Sequence, residues 1–401
     1  MARQRSLRAR LALLAVGLLV GILLAECSLR VAGVSYPLYY YPDDFLGARL
    51  RPRFAGWYRR EGRAFFRVNR FGFRDREHAV AKPVNTVRVA VLGDSFAEAL
   101  QVPLKDTFWS VLEQRLTEST DGPASRFEVL NFGVSGYGTA QQLQALRHHV
   151  WQFEPDIVLL AFFAGNDVRN NSKQLEPQQL RPFFHLDETG QLVLDQSFLE
   201  HTDYIKSRSL AVRLKIGLIN ASRLLQLANQ WKSRPRLPDR DSPLAVESGL
   251  DQTGFGEPHE IVWRNAWDIT DALIVQMHDE VRRRGAKFFV ATVPSAIEVD
   301  PRPSQRQAVS QRLGEPDWEY AERRIQTLGA KHGFSVIALA GPMRQHAESG
   351  QVYLHGFTNT QLGTGHWNAA GHRLAGRLIY ESVVHALRCQ AAVDSDDVSD
   401  Q

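Results

Sequence analysis

Short, mostly apolar runs alternate along this chain with stretches in which apolar residues recur at helical spacing. The apolar runs occupy residues 87–92, 127–131, 157–163, 288–293 and 334–339. Helical spacing predicts helices at residues 108–116, 139–150, 266–281, 318–328 and 369–387. A strand that is apolar at nearly every position is buried on both faces, which is typical of a parallel sheet covered by helices. The alternation therefore predicts an α/β fold, with functional residues beyond the carboxyl ends of the strands.

Residues 172–257 do not follow this alternation. They contain a hairpin-like stretch at residues 183–194, a basic amphipathic helix at residues 209–232 and a linker rich in Pro and Asp at residues 235–243. We interpret this region as an insertion over the site of the α/β domain, as a lid would be. The domain itself is expected to span residues 85–390, before an acidic tail at residues 391–401.

The segment 1–34 has the composition of a targeting or membrane segment. Four arginines, at positions 3, 5, 8 and 10, precede residues 11–25, which are all apolar or small. A helix over residues 11–25 rises about 22 Å, less than the ~30 Å hydrocarbon core of a bilayer. A complete span would therefore continue to Val34, past Glu26 and Arg30. These two residues stand at i and i+4, and we expect them to pair or to snorkel at the far interface.

Three interpretations of this segment stay open, and the pattern favours the first. An uncleaved anchor, oriented by the positive-inside rule, keeps the N-terminus cytoplasmic and exports the rest. A cleaved secretory signal is the second, although residues 31–33 form a poor cleavage site. Lipidation of Cys27 is the third, although Glu26 stands where a small residue is required. We predict a single-pass membrane protein whose main domain is extracytoplasmic, in the periplasm or outside the cell.

Composition excludes several classes of protein. Of the 401 residues, 44% are hydrophobic and 23% are charged, which is ordinary for a globular protein and excludes wholesale disorder. The net charge of +4 equals the contribution of the four N-terminal arginines, so the remainder is neutral and a nucleic-acid partner is not expected. Cys27 and Cys389 stand too far apart in sequence for a CxxC metal pair or a disulfide framework.

Residues 35–84 are rich in aromatic residues and arginine. We expect most of the aromatic residues to cover the edge of the main domain in short strands. The arginines interleaved with them are Arg59, Arg60, Arg63, Arg67, Arg70, Arg74 and Arg76. Such a set could bind an acidic glycan, but the pattern favours a solvated face.

Four short motifs follow predicted strands or open the last predicted helix. They are Gly93-Asp94-Ser95-Phe96, residues 131–139 (NFGVSGYGT), Gly165-Asn166-Asp167 and Gly365-His366-Trp367-Asn368. Each has a structural explanation, since these residue types also cap helices and form turns. Each also fits serine catalysis, which needs a hydroxyl, a base and hydrogen-bond donors aimed at an oxyanion. His355 and His372 compete with His366 as the base.

The order of these motifs resembles the SGNH/GDSL hydrolase family, over residues 85–170 and 350–385. The resemblance implies a flavodoxin-like three-layer α/β/α sandwich with a parallel sheet, and a serine esterase that needs no cofactor and no metal. It assigns Ser95 as the nucleophile and His366 as the base. The oxyanion hole would consist of the Ser95 N–H, the Gly136 N–H and the Asn166 amide. Gly136 is preferred to Gly133 because it stands five residues after Asn131, as in the family's second motif.

One departure from the family pattern concerns the residue that orients the histidine. The family usually has Asp three, or in some relatives two, residues before the catalytic His, and here those positions are Gly363 and Thr364. His366 would then be oriented by a backbone carbonyl or by a carboxylate from elsewhere in the chain. Asp94 and Asp167 adjoin the catalytic candidates, and we expect them to brace turns.

The sequence therefore predicts a membrane-anchored, extracytoplasmic serine esterase. Export suggests O-acetyl groups on a polysaccharide as substrate, with membrane lipid esters as another ester class. An O-acyltransferase of the same fold is one alternative, and a non-catalytic glycan-binding or assembly protein is another. A zinc site at residues 278–280 is not expected, because no HExxH motif is present.

Overall fold

The structure is a computed structural model that describes residues 2–119, 126–232, 256–314 and 317–399. It consists of two compact units. The smaller unit holds the described parts of residues 1–39 and 205–245, and the larger holds those of residues 40–204 and 246–401. The predicted linker at residues 235–243 lies outside the described residues.

The strands and α-helices are numbered here in chain order. The strands are β1 (Tyr40–Asp43), β2 (Gly47–Leu50), β3 (Ala55–Tyr58), β4 (Ala64–Arg67), β5 (Thr86–Leu92), β6 (Arg126–Asn131), β7 (Ile157–Phe162), β8 (Phe183–Leu186), β9 (Leu192–Asp195), β10 (Lys287–Thr292) and β11 (Ser335–Ala338). The α-helices are α1 (Ala2–Val31), α2 (Ser95–Glu98), α3 (Phe108–Glu118), α4 (Thr139–Ala145), α5 (Ala164–Asn171), α6 (Thr202–Ser207), α7 (Leu210–Ala221), α8 (Arg223–Lys232), α9 (Ile261–Arg283), α10 (Pro303–Arg312), α11 (Tyr320–His332), α12 (Ala340–Gly350) and α13 (Ala369–Ser399).

A parallel sheet of five strands forms the centre of the larger unit, in the order β11-β10-β7-β5-β6. When the five strands are renumbered 1 to 5 along the chain and the sheet is read from the β6 edge, the order is 2-1-3-4-5, which is the flavodoxin-like order. The order reverses between β5 and β7, and ligands of such sheets bind outside the strand ends at this switch point. All five predicted strands are present, with no end shifted by more than one residue.

Helices cover both faces of the sheet, because successive side chains of each strand point to opposite faces. On β5, Ala90 and Leu92 pack in one core with residues of α4, α9 and α11. Val89 and Val91 pack in the other core with residues of α3, α12 and α13. This arrangement confirms the predicted three-layer α/β/α sandwich.

Two antiparallel hairpins, β1–β2 and β3–β4, precede the sheet and supply the short strands expected in residues 35–84. One of the arginines expected on a solvated face is buried instead. The Arg74 guanidinium donates hydrogen bonds to the backbone carbonyls of Glu98 (2.8 Å) and Val102 (2.5 Å). The prediction was wrong for Arg74 because a chain segment packed against it supplies carbonyl acceptors that a sequence pattern does not reveal.

The region interpreted as an insertion, residues 172–257, also differs from its predicted form. The hairpin β8–β9 matches the prediction at residues 183–194. The single helix expected at residues 209–232 is two helices, since Ser222 has an extended backbone (φ −121°, ψ 129°). The Ser222 hydroxyl accepts the Leu225 N–H (3.3 Å) and so caps α8.

The smaller unit is built on α1, whose residues Leu7–Val31 are long and apolar enough to cross a membrane. This property fits an anchor or a signal sequence. Helices α7 and α8 belong to the same unit, and α8 packs on α1. The predicted domain boundaries stay a prediction.

Candidate active site

Ser95 stands at the first turn after the central strand β5. Asp94 caps α2, because its carboxylate accepts the Phe96 N–H at 2.9 Å. A side chain at Gly93 would bring its Cβ to 2.8 Å from the Ala97 Cβ, so only glycine allows this close turn. The strand end and the cap together hold the Ser95 hydroxyl at the carboxyl edge of the sheet.

His366 reaches Ser95 from the loop before α13. Its Nε2 lies 2.7 Å from the Ser95 Oγ. The two residues after His366 fix the loop. Trp367 is buried in the core, and the Asn368 side chain accepts the N–H groups of Ala370 (2.9 Å) and Gly371 (3.1 Å). The two residues, 271 positions apart, therefore form a hydrogen-bonded pair.

A carboxylate that sequence reasoning missed holds the other side of the imidazole. Glu61, in the turn of the β3–β4 hairpin, places its Oε2 2.5 Å from His366 Nδ1. Its Oε1 accepts the His366 backbone N–H at 2.7 Å. Gly365 has φ +73°, and a Cβ there would overlap the Glu61 carboxylate. The chain thus supplies from residue 61 the carboxylate that is missing at Gly363 and Thr364.

The sequence contains one signal that could have drawn attention to Glu61. It is the only Asp or Glu between Asp44 and Asp75, in a stretch rich in arginine. The turn that carries it is locked to the loop before His366. The Gly62 N–H donates to the Asn359 side-chain oxygen (2.9 Å), and the Asn359 amide donates back to the Gly62 carbonyl (3.0 Å).

The charge of Glu61 suits an orienting role. Burial alone raises the pKa of this carboxyl, but the hydrogen bonds and the charge of His366 outweigh burial, so the pKa is lowered overall. An ionised carboxylate accepts hydrogen bonds only, so it favours the tautomer of His366 that carries its proton on Nδ1. The Nε2 lone pair then faces the Ser95 hydroxyl.

Two of the three predicted oxyanion donors, the Ser95 N–H and the Asn166 amide, lie at the start of α2. Asn166 donates one amide hydrogen to the Asp94 carboxylate (2.8 Å), which leaves its second amide hydrogen for another acceptor. The segment before Gly136 contacts the same turn, because the Val134 N–H donates to the Gly93 carbonyl (3.3 Å). In the described part of the chain, neither the Ser95 N–H nor the Gly136 N–H has a protein acceptor.

Among the described residues the Gly136 N–H has no acceptor, whereas the Gly133 N–H has one. The Gly133 N–H donates to the Asn131 side chain at 3.0 Å. Gly136 has φ +78°, and its carbonyl is held by the Asn170 amide and the Arg181 guanidinium, each at 2.9 Å. These two hydrogen bonds anchor Gly136 at its carbonyl, directly after the N–H that is proposed as a donor.

The other candidate side chains, His355, His372, Asp94 and Asp167, are buried or make contacts that hold the fold. His355 is buried, and burial lowers its pKa to about 3. His372 is also buried, and its Nδ1 accepts the Phe108 N–H at 3.3 Å. Asp94 braces the β5 turn as described, and Asp167 accepts the Phe163 N–H (2.9 Å). Among the described residues, no three His, Cys, Asp or Glu side chains lie close enough together to hold a metal ion.

Comparison with known proteins identifies the family. A search of curated sequences finds no significant match. Similar solved structures include an acetyl xylan esterase, with 12% identity, TM-score 0.39 and coverage of 74% of this chain and 100% of that one. A catalytic mutant of an acetylxylan esterase from Geobacillus stearothermophilus has 12% identity and TM-score 0.37, with coverage of 74% of this chain and 93% of that one. TesA has 13% identity and TM-score 0.34, with coverage of 74% of this chain and 97% of that one. The profile of the GDSL-like lipase/acylhydrolase family matches residues 91–374, and the chain therefore belongs to that family.

Proposed function

We propose that this protein is a membrane-anchored, extracytoplasmic serine esterase that removes O-acetyl groups from a polysaccharide. The observation that carries the catalytic part is the chain of contacts from Glu61 through His366 to Ser95. A nucleophile, a base and an orienting carboxylate in hydrogen-bond contact are the arrangement that serine esterases use.

Acylation begins when the Ser95 oxygen attacks the ester carbonyl carbon. His366 Nε2 takes the hydroxyl proton, and Glu61 stabilises the resulting imidazolium. The tetrahedral intermediate places its negative charge on the former carbonyl oxygen. When the intermediate collapses, the bond between the acyl carbon and the sugar oxygen breaks, and His366 gives its proton to that departing oxygen.

Deacylation repeats these steps with water as the nucleophile. His366 removes a proton from water as the water oxygen attacks the acyl-Ser95 carbonyl carbon. When the second intermediate collapses, the bond from the acyl carbon to the Ser95 oxygen breaks and His366 returns its proton to that oxygen; the acetic acid released ionises to acetate. The Ser95 N–H, the Gly136 N–H and the second amide hydrogen of Asn166 are the donors for the oxyanion in both halves of the reaction.

The proposed location rests on α1 and its flanking charge. The four arginines before the apolar helix favour a cytoplasmic N-terminus, so the α/β unit would be exported. An exported, anchored esterase would meet acylated envelope or secreted polysaccharides, and their O-acetyl groups are the substrate that we propose.

The catalytic proposal is tested with the full-length protein in detergent. We expect a fluorophosphonate to add once per chain, measured as intact mass, and Ser95→Ala or His366→Ala to abolish the adduct. Ser349→Ala is the matched control, because the Ser349 hydroxyl donates only to carbonyls of its own helix α12. A folded wild-type protein without an adduct would refute the proposed esterase.

Substrate and reaction type need a second assay. We expect acetate release from O-acetylated xylan or a comparable glycan without any added acceptor. Release only when an acceptor sugar is present would identify an O-acyltransferase instead. If Ser95→Ala kept full biological function, a non-catalytic glycan-binding role would replace both enzymatic proposals.

A further inference from the structure

Two charged residues interrupt the apolar surface of α1, and both bind the turn between α7 and α8. The Glu26 carboxylate accepts the backbone N–H groups of Arg223 (2.8 Å) and Leu224 (3.1 Å), and the Ser222 hydroxyl (2.9 Å). These N–H groups lie at the first turn of α8, where they have no acceptor within the helix. Glu26 therefore caps α8 from another helix.

Arg30 provides the complementary contact. Its guanidinium donates to the Ala221 carbonyl at the end of α7 (2.7 Å) and to Glu26 (2.8 Å). A cation at a helix C-terminus and an anion at a helix N-terminus both interact favourably with the helix dipoles. The pair that interrupts the apolar segment is thus matched to the two helix ends of the α7–α8 turn.

The chain immediately after α1 binds the same two helices. The Asn220 side chain exchanges two hydrogen bonds with the Leu38 backbone (2.8 and 2.9 Å). The buried Gln226 side chain accepts the Tyr36 N–H at 2.8 Å. The α7–α8 hairpin is therefore fixed to the C-terminal end of α1 and to the residues that follow it.

This attachment sets the level of the hairpin relative to a membrane. The uninterrupted apolar residues 11–25 end one position before Glu26. The rise from Leu11 to Arg30 is about 28 Å, so Arg30 lies near the outer boundary of a ~30 Å hydrocarbon core, with Glu26 one turn before it. The α7–α8 turn, bound to Glu26 and Arg30, would then lie at the boundary between hydrocarbon and headgroups.

Helix α7 has an apolar face that the described part of the chain leaves uncovered. Leu210, Leu214 and Leu218, spaced four residues apart, are 70%, 61% and 65% exposed. Arg213 and Lys215 flank this stripe and are also exposed. The opposite side of α7 packs inward, with Ile219 only 7% exposed. A leucine stripe with basic residues at both rims is the pattern of a helix that lies in a membrane surface.

Helix α8 extends the same pattern. Trp231 is 77% exposed and Leu227, one turn before it, is 40% exposed. Lys232 adjoins them and is exposed as well. Tryptophan is enriched at the interface between hydrocarbon and headgroups, where its ring is buried and its N–H is hydrated.

We propose that α7 and α8 form an interfacial hairpin, which lies in the headgroup region of the bilayer with the leucine stripe of α7 in lipid. This inference rests on the proposed membrane anchoring by α1. Lipid is the occupant that fits, because the hairpin adjoins a helix whose apolar window is itself 0% buried by protein. The basic rims match anionic headgroups, which attract Lys and Arg side chains near the membrane surface.

The test uses the full-length protein in vesicles of phosphatidylethanolamine and phosphatidylglycerol. Cys27 and Cys389 are replaced by Ser, and single cysteines carrying a nitroxide are placed at Leu14, Leu214 or Lys215. The relaxation of each label by oxygen, which partitions into lipid, and by a water-soluble nickel chelate is measured. Esterase activity of each labelled protein shows that it is folded.

We expect Leu214→Cys to be several-fold more accessible to oxygen than to nickel, and Lys215→Cys to show the reverse. Leu14→Cys reports on the anchor separately and should be accessible to oxygen alone. A lipid-exposed label at Leu14 with a water-exposed label at Leu214 would overturn the interfacial hairpin and leave the anchor standing. A label at Leu214 shielded from both reagents would indicate a protein partner or a second copy and overturn it too. A water-exposed label at Leu14 would overturn anchor and hairpin together.

Discussion

His366 lies between two regions of the larger unit that are built in different ways. On one side, Ser95 and Asn166 follow strands β5 and β7, which are buried in the two cores of the sandwich. On the other side, Glu61 sits in the turn of the β3–β4 hairpin, whose four-residue strands are partly exposed. The proposed nucleophile is thus positioned by the core, and the proposed orienting carboxylate by a peripheral turn.

Because the Glu61 turn lies outside the core, changes there should affect the reaction rate separately from the stability of the fold. The Glu61 turn reaches the His366 loop through a few hydrogen bonds, including those between Gly62 and Asn359. Disturbing them should leave the sheet and Ser95 in place while releasing the imidazole. We therefore expect changes at the turn to lower the rate of reaction while changing the melting temperature little.

Glu61→Gln should have the largest effect among such changes. The amide keeps the size of the side chain but no longer selects the tautomer with the proton on Nδ1, and the comparable change in a serine protease costs about 10⁴ in kcat. We expect a fall of about 10⁴-fold in kcat for an acetyl ester, with partial recovery in Glu61→Asp.

Glu77→Gln is the matched control, because Glu77 is an exposed carboxylate of the same arginine-rich region and pairs with Arg70 (3.8 Å). Its kcat should match that of the wild type. If Glu61→Gln retained most of the wild-type kcat at every pH, Glu61 would be a structural contact only.

Asn166→Ala tests the sheet side of the comparison and should have the next largest effect. Removal of one oxyanion donor costs about 10²–10³ in kcat, with a smaller change in KM, because the donor acts mainly in the transition state. Asn229→Ala on α8 is the control outside the site. A change confined to KM would show that Asn166 binds the ground state and is not an oxyanion donor.

Gly62→Ala tests the hairpin turn without touching a reacting group. Gly62 has φ +69°, and a Cβ there would overlap the Gln101 carbonyl, so the turn must shift. A displacement of about 1 Å can cost up to about 10² in rate. Gly190→Ala is the matched control: Gly190 has φ +79°, but no heavy atom lies within 4 Å of its added Cβ. Equal kcat values for the two variants would show that the turn does not position Glu61.

The same division between core and peripheral turn explains which features could be predicted from the sequence. The strands and the residues that follow them were predictable because burial on both faces leaves a continuous apolar pattern. Glu61 was not, since it meets His366 across 305 residues and no periodicity records that contact. Helix α10 was missed for a related reason: none of its residues is buried, so it has no apolar stripe. The break at Ser222 depends on capping of α8 by Glu26, which is again a contact distant in sequence.

A second contact between the N-terminal hairpins and the sheet edge should affect stability rather than rate. The buried Glu98 carboxylate at the end of α2 accepts the hydroxyls of Tyr40 on β1 (2.9 Å) and of Ser135. Burial raises the pKa of Glu98 from 4.5 to about 7. Between these values the folded protein keeps a proton that the unfolded chain releases, so stability falls as the pH rises through this window and then levels off.

Glu98→Gln removes this titration, and the pH dependence of the difference between variant and wild type isolates it from the other carboxyls. A shift of this size corresponds to about 3 kcal/mol. We expect the free energy of unfolding of Glu98→Gln, relative to the wild type, to increase by up to about 3 kcal/mol from pH 4 to pH 8, measured by denaturant titration in detergent. Glu77→Gln should show no such trend. A difference that stays constant with pH would mean that Glu98 is ionised throughout, with the buried Arg74 guanidinium as its counter-charge; in that case the hairpins and the sheet edge would be joined by an ion pair instead of a protonated carboxyl.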